Sequence, residues 1–121
     1  MATAQLVAQW IIGLGLLNVW LIHPNMATAY RGGDAKNMRE EFAVYGFPAS
    51  FMYAIGAIKV TLAIALIAGT WWPELVQPAS LAIAALMAGA VVMHIKVKDT
   101  FKKTMPALAL LLLSLFVAIA K

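Results

Sequence analysis

Along this chain polar and apolar residues do not alternate; they come in long blocks. Four apolar runs, about residues 4–22, 51–70, 78–95 and 104–120, each approach the roughly 20 residues that a helix needs to cross the hydrocarbon layer of a bilayer. The first, Ala4 to Ile22, has no lysine or arginine ahead of it, so it reads as a retained span rather than a cleaved signal segment. It stops at His23-Pro24, because the residue before a proline is pushed out of helical angles. The second run is interrupted only by Lys59 and ends at Trp71-Trp72-Pro73; the third carries no charge; the fourth is the most uniformly apolar, with Leu110 to Leu113 at its centre. Short links between such runs predict an all-α, up-and-down four-helix bundle that forms a single transmembrane domain over residues 1–121.

The stretch from His23 to Ser50 is too long for a featureless loop in so small a protein. Within it Met38, Phe42 and Tyr45 recur at helical spacing, with Gly32-Gly33-Asp34 before them and Gly46 and Pro48 after. Asp34 suits an N-cap and Gly46 a C-terminal stop. Residues 35–45 are therefore expected to form a short amphipathic helix on the membrane surface. Its apolar side would lie in the lipid boundary, with Lys36, Arg39, Glu40 and Glu41 toward water.

Composition agrees with a membrane protein. Hydrophobic residues make up 64% and charged residues 12% of the 121, against roughly 45–50% and about 25% in soluble domains. Four crossings use nearly all of that apolar content, leaving no room for a separate soluble catalytic domain. Cysteine is absent, which excludes thiol nucleophiles, disulfide exchange, iron–sulfur clusters and thiolate zinc sites. The net charge of +4 has a membrane explanation. Arg31, Lys36, Arg39, Lys96, Lys98, Lys102 and Lys103 all fall in the loops after the first and third spans, and only Lys121 falls on the other side. Basic loops stay in the cytoplasm, so both termini are expected outside. Trp71 and Trp72 then sit in the outer aromatic belt, and Trp20, Phe47 and Tyr53 toward the inner one. No aromatic interleaving of the basic clusters supports nucleic-acid binding; Lys96-Val97-Lys98 and Lys102-Lys103 suit anionic lipid instead.

Lys59 is the one charge inside a predicted span, eight residues into the second, or about 12 Å from its cytoplasmic end. An ionisable group at such depth costs roughly 2.5–3.5 kcal/mol and marks a candidate functional position. It would hold an anionic or carbonyl-bearing head group, or pair with a carboxylate and fix helix packing. Asp34, Glu40, Glu41 and Asp99 all lie on its side of the membrane, and the sequence does not choose among them. His23 and His94, the two histidines, are both placed at that end. Such a pair can hold a haem or a metal, but no further ligand has metal spacing, so they read better as pocket walls or interfacial anchors. The seven methionines read as packing. Gly13 with Gly15, Ala85 with Gly89, and Ala84 with Ala88 have the small-residue spacing of close helix contacts.

The arrangement resembles the DoxX-like family of small four-helix membrane proteins. The matching residues are Tyr45-Gly46-Phe47-Pro48, Gly56-Ala57-Ile58-Lys59-Val60, Gly89-Ala90, His94, Asp99 and Pro106, spread over roughly residues 40–110. Many relatives carry a glutamate where Lys59 stands, although a lysine-bearing branch is more similar. The first span departs further, with Asn18 and His23 at its polar positions. The resemblance implies a bacterial cytoplasmic membrane and a choice of roles. Some members are similar to the membrane subunit of a thiosulfate:quinone oxidoreductase, others to partners of thiol-redox enzymes, and an animal branch to a chaperone of receptor assembly. Lys59, His94 and Asp99 match the family's polar positions, and no catalytic role comes with them.

The first functional expectation is an accessory subunit that holds a lipid-soluble molecule such as a quinone. Lys59 and His94 would donate to its carbonyl oxygens, Asp99, Tyr53 and His23 would complete the ligand-binding residues, and Met87 and Met93 would form apolar walls. The second is an assembly helper that acts on a partner membrane protein, or on another copy of itself, through helix contacts. A small multidrug transporter fits the size but depends on a carboxylate in the first helix, and residues 1–22 contain no acid.

Overall fold

The computed structural model describes residues 3–22 and 37–120, and their regular structure is entirely helical. Helix α1 (Thr3–Leu17) runs into a π-helical turn at Asn18–Ile22. There follow α2 (Met38–Val44), α3 (Ala49–Ala68), a 3-10 turn at Pro73–Leu75, α4 (Val76–Lys96) and α5 (Phe101–Ile119). Counting α1 with its π-helical turn, four of these are long and apolar enough to cross a membrane. The protein is thus an all-α integral membrane protein, as the hydrophobic blocks require. Its outer surface is correspondingly apolar, with Val7, Ile11, Ile64, Leu81, Val92 and Leu112 all exposed.

The four long helices form a ring in which α1 packs on α3 and α5, α4 packs on the same two, and the diagonal pairs do not touch. Neighbours run antiparallel, as cross-links between the start of one helix and the end of the next demonstrate. At this first end of the bundle, Gln5 Nε2 donates to the carbonyls of Val117 and Ala120, and Gln77 Nε2 donates to Ala118 O. Helix-end carbonyls lack intrahelical donors and are costly to leave bare in an apolar medium, so these glutamines supply what lipid cannot. Gln9, fully buried, donates similarly to Leu66 O at 2.7 Å. Below them Ile12, Leu66, Ile83 and Val117 make a solid core. Gly13 belongs to it, since a β-carbon there would come within 2.5 Å of Ile67 Cγ1. Gly15 and Gly89, by contrast, have open space where a β-carbon would stand, so of the glycines in the expected small-residue pairs only Gly13 marks a close helix contact.

Helix α2 differs from the expected surface helix in its setting. Asp34 lies outside the described residues; the N-cap is Asn37, whose Oδ1 accepts from Glu40 N at 2.9 Å while its Nδ2 donates to Glu40 Oε2. Gly46, at φ +90°, ends the helix in a Schellman turn, with Gly46 N donating to Ala43 O and Phe47 N to Phe42 O. That closure folds α2 inward. Phe42 and Tyr45 are buried rather than dipped in lipid, and Phe42 meets Trp20 edge-on at 5.9 Å and packs on Met52. Aromatic surface is better satisfied there than at a headgroup boundary, because the stacked Phe47 and Phe51 rings receive Phe42 on one side and Trp20 meets it on another.

Helix α4 closes in the same way without a glycine. Lys98 N donates to Ile95 O and Asp99 N to His94 O, which places Lys98 at φ +59°. A left-handed residue with a β-carbon carries roughly 1–2 kcal/mol of strain. Lys98→Gly is therefore expected to raise stability against unfolding by about 1 kcal/mol. Thermal unfolding of the purified protein in detergent checks this, and an unchanged or lower Tm would contradict it.

Candidate functional site

The solid core fills only the half of the bundle that holds both termini of the described chain. In the other half, toward Lys96, Lys98, Lys102 and Lys103, the helices enclose a cavity of about 680 Å³. Its walls come from the end of α1, from α2, and from the facing stretches of α3, α4 and α5. Small residues create the space: Ala85 and Gly89 line it, and neither presents a side chain large enough to fill it. Leu16 and Met87 separate it from the core.

Lys59 borders this cavity. Helix α3 begins at Ala49, two residues ahead of the hydropathy boundary, so Lys59 is ten residues in, about 15 Å from the helix start and near its midpoint. The ammonium lies 5.3 Å from the centroid of the Trp20 ring. Gly56 makes that arrangement fit, because a β-carbon there would stand 2.6 Å from two atoms of the indole. Among the candidate carboxylates in the described residues, Glu41 is the one that also borders the cavity. Glu40 is exposed and engaged with the α2 cap, Asp99 is committed elsewhere, and Asp34 is outside the described residues.

His94 is buried, and its ring joins two elements. Nδ1 is 2.7 Å from Asp99 Oδ2, and Nε2 is 3.4 Å from the Tyr45 hydroxyl. The hydroxyl donates to Glu41 Oε1 at 2.8 Å. On the other side Asp99 Oδ1 is 4.0 Å from Lys103 Nζ. The result is a continuous chain, Glu41–Tyr45–His94–Asp99–Lys103, along the wall of the cavity, which Glu41, Tyr45, His94 and Lys103 all border. Local backbone geometry builds it: Glu41 and Tyr45 are one helical turn apart on α2, and the closure of α4 at Lys98 brings Asp99 back over His94. Lys96 Nζ donates to Tyr45 O and sits over the Phe47 ring, which holds α2 onto the end of α4.

Of the ligand-binding residues expected from sequence, Lys59 and His94 come together at this cavity, and Asp99 stands behind His94 as its hydrogen-bond partner. Tyr53 does not join them. It is 61% exposed, and its hydroxyl accepts from Arg39 Nη2 at 3.3 Å. Six residues before Lys59, it lies about 240° around α3, on a different face. His23 lies outside the described residues, and so does any pairing of it with His94. Met87 and Met93 both line the cavity. The sequence reading did not single out Tyr45, Trp20 and Asn18 as wall residues, and it placed Glu41 toward water. A signal for Glu41 was present: on the α2 wheel it lies about 40° from Tyr45, at the edge of the arc that holds Met38, Phe42 and Tyr45.

A ring of antiparallel spanning helices around an apolar cavity with a few inward polar groups defines a small helical membrane protein with an internal cavity. Its sequence places it more narrowly. The model of the DoxX-like family matches residues 16–117, and the chain belongs to that family. Comparison with curated proteins and with solved structures finds no match.

Proposed function

We propose that this protein is an accessory membrane subunit that holds a small lipid-soluble molecule, of the quinone class, in the cavity beside Lys59 and His94. What supports the reading is convergence. The cavity volume falls within the roughly 300–1,000 Å³ of ligand sites. Half of the residues that carry the family resemblance also border it, namely Tyr45, Phe47, Lys59, Gly89, Ala90, His94 and Pro106. The Lys59 ammonium would donate to one carbonyl oxygen, while Met87, Met93 and Leu110 would contact the ring and tail. The basic loops would face the cytoplasm of a bacterial cell by the positive-inside rule, so the site would open toward that side.

The test is a thermal unfolding series with a short-chain quinone, together with mass spectrometry of whatever co-purifies. Quinone should raise the Tm of the wild type, and Lys59→Ala should weaken binding about tenfold to a hundredfold, the worth of one hydrogen bond from a charged donor. Absence of both a co-purifying molecule and a quinone-dependent shift would overturn the reading. A photo-crosslinker at position 59 that captures a membrane protein instead would favour the assembly-helper role.

A further inference from the structure

Helices α3 and α4 meet tightly at one end of their shared seam and part at the other. Beside the turn that joins them, a β-carbon on Gly69 would stand 2.5 Å from Val76 Cγ2. Farther along, the same two helices leave room, and a β-carbon on Gly89 meets no atom within 4 Å. The widening begins where the solid core stops, at Met87, which belongs both to the core and to the cavity wall.

Two stripes face each other across the open part of the seam. On α3 Phe51 and Ile55 run on to Lys59, and on α4 Ala85, Gly89 and Met93 follow one another, each set spaced by four residues and so on one helix face. All six border the cavity. The helices run antiparallel from the Gly69–Val76 contact, so equal rise brings Lys59 level with Ala85 and Leu86, Ile55 with Gly89 and Ala90, and Phe51 with Met93 and His94. The α4 stripe is turned away from α5, because Gln77 reaches α5 through its bond to Ala118 O and Gly89 lies about 120° around the helix from Gln77. Phe51, Ala85 and Gly89 are also exposed on the outside of the bundle. A residue that borders a cavity and is exposed stands at its mouth. This mouth lies within the spans Ser50–Ala68 and Pro73–Lys96, so it faces hydrocarbon rather than water.

The rim has the chemistry of its surroundings. Phe51, Ile55, Ala85, Gly89 and Met93 carry no charge and no side-chain hydrogen-bond donor. The cavity's linked polar groups, Glu41, Tyr45 and His94, lie instead toward α2. On the opposite side the exposed wall residues are Asn18, Val19 and Pro106, and the Asn18 carboxamide makes that rim a poorer surface for hydrocarbon.

We propose that the α3–α4 seam is a lateral portal: the occupant enters from the bilayer with its headgroup toward Lys59, and its hydrocarbon tail stays between Phe51 and Ile55 on one side and Ala85 and Gly89 on the other. The proposal rests on the ligand-site reading above and adds the route of entry and the occupant's class, a quinone that bears a long tail. Such a tail gains little by moving from lipid into an equally apolar seam. It needs only a way out of the cavity, and the small residues at 85 and 89 provide one.

Calorimetry of the full chain in lipid nanodiscs tests this with two quinones that share a headgroup, 2,3-dimethoxy-5-methyl-1,4-benzoquinone and its 6-geranyl derivative. Ala85→Phe narrows the mouth from its rim. It should weaken the geranyl compound by about tenfold or more relative to the tail-less one, the lower range of steric overpacking, and in that ratio partitioning into lipid and any general loss of fold cancel. Val19→Phe, on the opposite rim, should leave the ratio unchanged. On illumination of the wild type, a diazirine at the far end of the tail should label α3 or α4. An unchanged ratio in Ala85→Phe, or label on α1 or α5, would overturn the portal and leave the ligand site standing. Ala85→Cys gives the chain its only cysteine. A thiol crosslinker that joins two copies of it in quinone-loaded proteoliposomes would put a second chain in the seam and also overturn the portal. Failure of both quinones to bind the wild type would overturn the ligand site and the portal with it.

Discussion

Gly89→Leu is expected to abolish quinone binding while leaving the protein as stable as before or slightly more so. The two effects separate because of where the glycine sits. Its face of α4 borders the cavity, and a β-carbon there meets no atom within 4 Å, so a larger side chain extends into empty space. Removing a helix-interior glycine also gains up to about 1 kcal/mol from backbone entropy. The leucine would take up volume that the occupant needs. A Tm equal to or above that of the wild type, with no further rise on adding quinone, is the expected result. A variant that still responds to quinone would place the ligand elsewhere. The same change at Gly13 makes a control of opposite sign, because there a β-carbon already collides with Ile67, and overpacking costs about 1–3 kcal/mol.

Asp99→Ala is the substitution with the largest expected cost to stability. It strips a buried imidazole of its 2.7 Å partner, and breaking a buried pair from one side costs roughly 3–5 kcal/mol, well above the worth of a surface ion pair. It also removes the carboxylate that Lys103 approaches. A fall in unfolding free energy of that order should appear in denaturant titration in mixed micelles. Replacing both members, His94→Leu with Asp99→Leu, should recover part of the loss, since no buried polar group is then left alone. A cost below about 1 kcal/mol for Asp99→Ala would mean that the pair is solvated and that His94 owes its position to packing.

Membrane insertion, the number of spanning helices and the stop at Gly46 were all legible from the order of residues. These follow from short-range physics: a run of about 20 apolar side chains leaves lipid as the only suitable medium, and a left-handed turn selects glycine. Lys59 was legible too, because a charge within such a run is expensive wherever it ends up. Other features were misread for identifiable reasons. Lys98 occupies a left-handed turn position without being glycine, so the closure that carries Asp99 to His94 left no sequence signal. Ala85 and Gly89 have the spacing of a helix contact, yet the same smallness makes a cavity when no helix comes close. Gln5 and Gln9 interrupt an apolar run inconspicuously, and their purpose appears only against the ends of α5 and α3.

The environment of this protein and its helical composition are therefore properties of its residue order, since hydropathy and backbone angles act over a few neighbours. The site is a property of packing. Glu41 and Tyr45 are separated from His94 by about 50 positions, and no local rule relates them. They meet because α2 folds inward on its aromatic side and Lys96 ties it to α4. That Glu41, Tyr45 and His94 border one cavity with Lys59 was decided by that long-range burial of aromatic surface.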